Sequence, residues 1–361
     1  MLESIWKKIL RRRGVSLWSI PAAVLWVLSL GFGIAIRVRS TRPGDQVRVS
    51  VPVISVGNIA VGGSGKTPLV KLLTQLLLQR GLRVGIVSSG FGRSSDLPLM
   101  EEGRAIFARS ADETGDEPKM LAGEFPDVQF AIHPSKTQGA RLLVERGQVD
   151  VMIVDDGFQH TGLYRDIDLV AFDAAVPPRR LRLFPYGVLR EPVKSLSRAD
   201  LIVITRADFS KDISSLKADI RRRAPQSEIY SARFNAGELV GRNRRKPVKY
   251  LDDKSVLLFA GVGHFDSLRR QVQAMSGALA ATVELADHHR YDQNTFEQIE
   301  RVVDRVNPDV ILTTAKDWVK AGNFDFGREF YYLTLQVDLD PGEEHLAALV
   351  MARLGLTNRE S

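Results

Sequence analysis

The residues best equipped for chemistry are Gly62-Gly63-Ser64-Gly65-Lys66-Thr67, which follow an apolar run over residues 51–56 and open a helical pattern. Strand, glycine-rich turn and helix start are the context in which G-x-x-x-x-G-K-[ST] cradles phosphate. Backbone N–H groups of such a loop face phosphate oxygens, Lys66 reaches the β- and γ-phosphates, and the Thr67 hydroxyl is placed to hold Mg²⁺. Ala60 stands where the first glycine of the pattern belongs. Asp155-Asp156 ends a second apolar run, residues 149–154, where a carboxylate would meet the metal or its waters.

A phosphoryl donor also needs a carboxylate that takes the proton of an attacking hydroxyl. Asp116 and Glu117, in Gly115-Asp116-Glu117-Pro118, are the best-placed candidates; as first-turn acids they would also simply stabilise a helix. Asp287-His288-His289 holds two of the six histidines, and the spacing lets His288 face a carboxylate across a cleft. No further Cys or His stands at ligand spacing, which argues against zinc. Thr205-Arg206-Ala207-Asp208 approaches the base-reading N/T-K-x-D of GTPases but has Arg where Lys is expected.

Short apolar strands must position these groups. Runs at 83–88, 129–132, 149–154, 168–173 and 201–205 alternate with helical patterns at 66–79 and 136–146. That alternation predicts an α/β fold, P-loop NTPase-like, with a mostly parallel sheet flanked by helices and ligands at the carboxyl ends of its strands. After the basic stretch Gly241-Arg242-Asn243-Arg244-Arg245-Lys246-Pro247 the pattern restarts, with strands at 255–260, 282–285 and 310–314 and helices at 265–275 and 294–306. The expected division is an N-terminal apolar helix (1–42), a kinase domain (43–240) and a second, smaller α/β lobe (241–361) across a cleft.

The 361 residues suffice for two cores, and 44 % hydrophobic with 26 % charged residues is ordinary for a globular chain. Absence of Cys excludes disulfides, zinc–thiolate sites and thiol chemistry. The net charge of +7 is concentrated early, at Lys7, Lys8, Arg11, Arg12 and Arg13, then Arg37, Arg39 and Arg42. Between them residues 14–36 are uncharged, with Trp18 and Trp26 suited to an interface. A signal peptide competes for this segment but lacks a clean cleavage site, and a phosphate loop soon afterwards needs cytosolic ATP. Basic flanks at both ends and Pro21 suit a helix lying in or dipping into a membrane surface. The basic clusters flank that helix instead of forming an aromatic-interleaved face, so no nucleic-acid partner is expected. The sequence names no protein partner.

Six ordered segments together resemble the tetraacyldisaccharide 4′-kinase family of lipid A biosynthesis. They are Val56-Gly57-Asn58 with Gly62-Gly63-Ser64-Gly65-Lys66-Thr67-Pro68, Gly115-Asp116-Glu117-Pro118, Asp155-Asp156-Gly157-Phe158-Gln159-His160, Leu189-Arg190-Glu191-Pro192, Asp287-His288 and Thr314-Ala315-Lys316-Asp317. The family tolerates a residue other than glycine at the Ala60 position. The resemblance implies ATP- and Mg²⁺-dependent phosphorylation of the 4′-hydroxyl of an acylated glucosamine disaccharide 1-phosphate, giving lipid IV-A. The setting it implies is the cytosolic face of a bacterial inner membrane. A switch GTPase or ATPase without a lipid acceptor is the alternative.

By matching position, Asp116 resembles the family's catalytic aspartate, paired with His288 and served by Lys66. Asn58, Gly62, Gly63, Ser64, Gly65, Lys66 and Thr67 fall on nucleotide-binding positions. Glu117, Asp155, Asp156 and Glu191 fall on positions associated with Mg²⁺, its waters or the phosphate site; His160 and Arg190, with Glu191, form the substrate set. One departure is Ser88-Ser89-Gly90-Phe91-Gly92-Arg93, which lacks the family's first Arg and its Tyr hydroxyl. Arg93 or another basic residue is then expected to grip a substrate phosphate.

Overall fold

Four apolar runs, Val53–Asn58, Val151–Asp155, Ile167–Asp173 and Leu201–Thr205, form strands buried along their whole length in a computed structural model that describes residues 19–39 and 45–356. Burial on both faces is what parallel strands under two helix layers require, and it explains why these runs lack polar alternation. Pairing is parallel throughout: Leu201–Thr205 beside Ile167–Asp173, that strand beside Val53–Asn58, and Val53–Asn58 beside Val151–Asp155. Residues 228–231 extend the row, again in parallel. Val56 is opposite Asp155, and Asn58 opposite Ala171, so the loops following these strands leave from one edge. That edge is where α/β sheets bind ligands.

These strands belong to a compact unit of residues 1–81, 151–233 and 339–361. The helix Lys66–Leu78 packs on it through Leu69, Val70, Leu72, Leu73, Leu76 and Leu77. The N-terminal helix runs Ser19–Arg39 and is long and apolar enough to cross a membrane. Trp26, Val27, Leu30 and Ile34 are each half or more exposed, an apolar face that the unit leaves uncovered. Its Phe32 meets Phe184 edge-on, with ring centroids 5.8 Å apart. The helix expected over 14–36 therefore ends three residues later, at Arg39. Lys7, Lys8, Arg11, Arg12, Arg13, Trp18 and Arg42 lie outside the described residues.

A second unit comprises residues 82–150 and 234–338. Val84–Ser88 pairs in parallel with Gln129–Ile132, whose other side takes Leu99–Glu102 antiparallel. Ser255–Ala260 lies between Ala278–Glu284 and Val310–Thr314, and residues 329–333 continue this parallel set. The division expected at residues 42 and 240 is contiguous, whereas the compact units are interleaved, residues 82–150 grouping with 234–338. A strand–helix pattern reports elements, not which of them pack together. Glu228–Val240 and Glu329–Asp340 are strands that the sequence does not announce, because burial lapses along both and no continuous apolar run forms.

Candidate active site

The candidate residues fall into two groups, one in each unit. In the first unit the glycine-rich loop joins the strand Val53–Asn58 to the helix Lys66–Leu78. Gly62 (φ +104°) and Gly65 (φ +82°) take left-handed conformations that strain any side chain. Ala60 needs no such freedom. It forms an antiparallel bridge with Leu189, and its neighbours are tied to the same segment by Arg190 N–H to Ile59 O and Val61 N–H to Val188 O, both 2.7 Å. Extended backbone accepts alanine, which explains the missing first glycine.

Side chains from neighbouring strand ends brace the loop. Asn58 Nδ2 donates to Ser64 Oγ at 2.7 Å, and Thr205 Oγ1 donates to the Ser64 carbonyl at 2.7 Å. Arg206 Nη2 donates to the Gly63 carbonyl at 2.6 Å while its Nε donates to Asp173 Oδ1 at 2.8 Å. Thr205 and Arg206 thus hold the loop's carbonyls, and Asp208 is exposed. The likeness of this segment to a base-reading motif has a different physical content here.

Beyond the buried Asp155, Asp156 turns at φ +50°. Its Oδ1 lies 3.3 Å from Lys66 Nζ and its Oδ2 accepts from Arg190 Nη1 at 2.7 Å. Glu191 faces inward, 4 % exposed, with Arg198 Nη1 at 2.8 Å and Gln159 Nε2 at 3.2 Å. The same Gln159 Nε2 donates to Asn58 O at 2.8 Å, so Glu191 ties the residues after Asp156 to the strand that feeds the loop. Arg198 and Gln159 carry no signal in the sequence that assigns them this task. His160 is exposed.

The residues around the loop fit a nucleotide and Mg²⁺. The helix Lys66–Leu78 starts without a side-chain cap and without an acid in its first turn, leaving backbone donors for an anion. Asn58 Oδ1 is buried with no hydrogen-bond partner among the described residues, a spare acceptor beside the loop. Thr67 and one or two carboxylates are the sparse oxygen set that suits Mg²⁺ held mainly by phosphate and water. Among the described residues no group of three or more His, Cys, Asp or Glu forms an all-protein metal cage.

In the second unit, Gly115 (φ +90°) delivers Asp116 to the start of the helix Asp116–Glu124. His288 Nδ1 lies 3.2 Å from Asp116 Oδ2, and Lys320 Nζ donates to the same oxygen at 2.7 Å. Burial raises the carboxyl's pKa, but hydrogen bonds and charge from His288 and Lys320 outweigh it and hold the group below its usual range. An ionised carboxylate only accepts, so His288 Nδ1 carries the hydrogen in this contact. Asp116 and His288 belong to one unit, not to facing lobes as the sequence suggests. Lys320 has no signal of its own; it lies four residues after Lys316 of the Thr314-Ala315-Lys316-Asp317 segment.

Phe91, 71 % exposed, sets its ring edge against His288 at a centroid distance of 5.4 Å. Arg93 Nη1 donates to Leu97 O at 2.9 Å, whereas its Nε and Nη2 are buried without a partner among the described residues. Burial lowers the pKa of this guanidinium. Glu117 is half-buried beside Asp116.

Comparison with known proteins gives one family. The model of tetraacyldisaccharide-1-P 4′-kinase matches residues 21–355. The tetraacyldisaccharide 4′-kinase of Geobacter metallireducens is 36 % identical over 310 residues, covering 83 % of this chain and 88 % of the relative. That of Syntrophus aciditrophicus is 30 % identical over 372 residues, covering 94 % and 98 %. The crystal structure of LpxK from Aquifex aeolicus in complex with ATP superposes with a TM-score of 0.74 at 27 % identity, over 92 % of this chain and 99 % of that one. The chain belongs to the tetraacyldisaccharide-1-P 4′-kinase family.

Proposed function

We propose that this protein transfers the γ-phosphate of ATP to the 4′-hydroxyl of a tetraacylated glucosamine disaccharide 1-phosphate, yielding lipid IV-A and ADP. The observation that carries the reading is the braced loop ending at Lys66 and an uncapped helix start, in a chain of this family. Lys66 and the loop N–H groups would hold the phosphates, and Thr67 with Asp155 or Asp156 would hold Mg²⁺. The metal, when bound, neutralises charge on the phosphate oxygens. Asp116, oriented by His288, takes the sugar hydroxyl's proton as the new O–P bond forms and the bond to the β-phosphate breaks. Arg190, Arg93 and His160 serve substrate phosphate, and the two unpartnered Arg93 donors favour it as the substitute for the family's arginine at Ser89. Glu117 serves the metal's waters, and Glu191 acts by positioning.

The setting we propose is the cytosolic face of a bacterial inner membrane, with residues 1–42 as its membrane element beside a kinase core. The exposed apolar residues of the helix Ser19–Arg39 support this, as do the exposed Arg179, Arg182 and Phe184 of the segment that packs on it. Purified protein given labelled ATP and tetraacyldisaccharide 1-phosphate in detergent should move label into lipid. A folded, ATP-binding preparation that hydrolyses ATP or GTP but labels no lipid would overturn the reading. Removing residues 1–39 should release the protein from anionic vesicles; full retention would remove the membrane argument.

A further inference from the structure

The helix Ala315–Ala321 carries two lysines at i and i+4, on one face. Lys316 Nζ lies 2.5 Å from Asp287 Oδ1. Lys320 Nζ lies 2.7 Å from Asp116 Oδ2 and 2.9 Å from the carbonyl oxygen of His289. The residues on both sides of His288 are therefore anchored to one helix. His288 itself has φ +59°, a left-handed conformation that a non-glycine residue keeps only when its surroundings enforce it.

The helix is itself tied down at Asp317. Asp317, 1 % exposed, accepts from Gly261 N–H at 3.1 Å, Tyr291 Oη at 3.0 Å and Thr314 Oγ1 at 2.7 Å. The Lys320 side chain is 12 % exposed, and an ammonium that far from water requires a partner. Its partner is the same Oδ2 that meets His288, which leaves Asp116 Oδ1 without a hydrogen bond among the described residues. Of the two lysines, Lys316 holds the residue before His288, and Lys320 holds both Asp116 and the residue after His288.

We infer that Lys320 is a positioning residue for phosphoryl transfer: it fixes Asp116 Oδ2 and the His288 turn so that Oδ1 faces the acceptor hydroxyl. The inference rests on the kinase reading above. Full-length Lys320→Met should lose about 10- to 100-fold in kcat with KM for ATP nearly unchanged, and Lys320→Arg should recover much of it. Added to Asp116→Ala, Lys320→Met should cost nothing more, because it acts through the residue already removed. A kcat for Lys320→Met within about 2-fold of wild type, or a multiplicative loss in the double variant, overturns the inference. An independent readout is the Nδ1 resonance of His288 in protein labelled with 15N-histidine. It should move in Lys320→Met and stay in the exposed control Lys249→Met; an unmoved resonance in Lys320→Met overturns the clamp. A wild-type protein that transfers no phosphate defeats the kinase reading, while the resonance still tests the clamp.

Discussion

Replacing Thr205 by valine removes one hydroxyl beneath the glycine-rich loop and preserves the β-branched shape that its strand favours. Thr205 is fully buried, and its Oγ1 donates to the carbonyl of Ser64, a residue only 3 % exposed. The alternative acceptor, Phe172 O, is 3.5 Å away and contributes little. Leaving the Ser64 carbonyl without its donor costs about 1–3 kcal/mol. Burying one more methyl offsets about 0.8 kcal/mol of that. The net loss is about 1 kcal/mol, a factor of about 5 in an equilibrium constant. Because the bond ends on the loop, the loss should fall on the loop's ATP-binding conformation. Calorimetric titration should give ATP binding about 5-fold weaker for Thr205→Val and within about 2-fold of wild type for Thr205→Ser. Unchanged affinity in Thr205→Val would refute the brace. Equal weakening in Thr205→Ser would show that packing, not the hydroxyl, is responsible.

Arg198→Met leaves the nearly buried Glu191 with Gln159 as its remaining donor among the described residues. The expected loss in a urea titration is about 2–3 kcal/mol, below the figure for a fully buried pair because Arg198 is 37 % exposed. Adding Glu191→Gln should restore part of it, since the stranded charge disappears. Asp116 supplies a pH prediction with a definite sign. Its folded-state pKa is lowered, so the unfolded chain binds more protons, and its contribution to stability is complete above the unfolded carboxylate range and lost as pH falls through the lowered value. The stability gap between wild type and Asp116→Asn, read from urea midpoints, should therefore narrow below about pH 4, as the carboxylate takes up its proton. A gap that does not narrow there would contradict a carboxylate held ionised by its neighbours.

The glycine-rich turn, the ATP-dependent chemistry of the family and the parallel strands were legible in the chain because they depend on local facts. Glycines at left-handed positions, a lysine and threonine at a helix start, and uninterrupted apolar runs each follow from neighbours in sequence. The six ordered motifs go further and mark the family from residue types and order alone. Other features had no local signature. Ala60 is acceptable because a segment some 130 residues later, at Leu189, holds it extended. Thr205 and Arg206 look like a base-reading motif and instead hold the loop's carbonyls. Lys320 is one lysine among many in the sequence, and only folding brings it to the Asp116 oxygen that His288 also meets. The grouping of residues 82–150 with 234–338 likewise follows from which apolar faces cover one another, a matter that periodicity within a segment does not encode. Residue types and spacing determined which chemistry is available; tertiary packing decided which side chains share an oxygen, because distances of 2.7–3.3 Å between groups far apart in the chain exist only once the cores have closed.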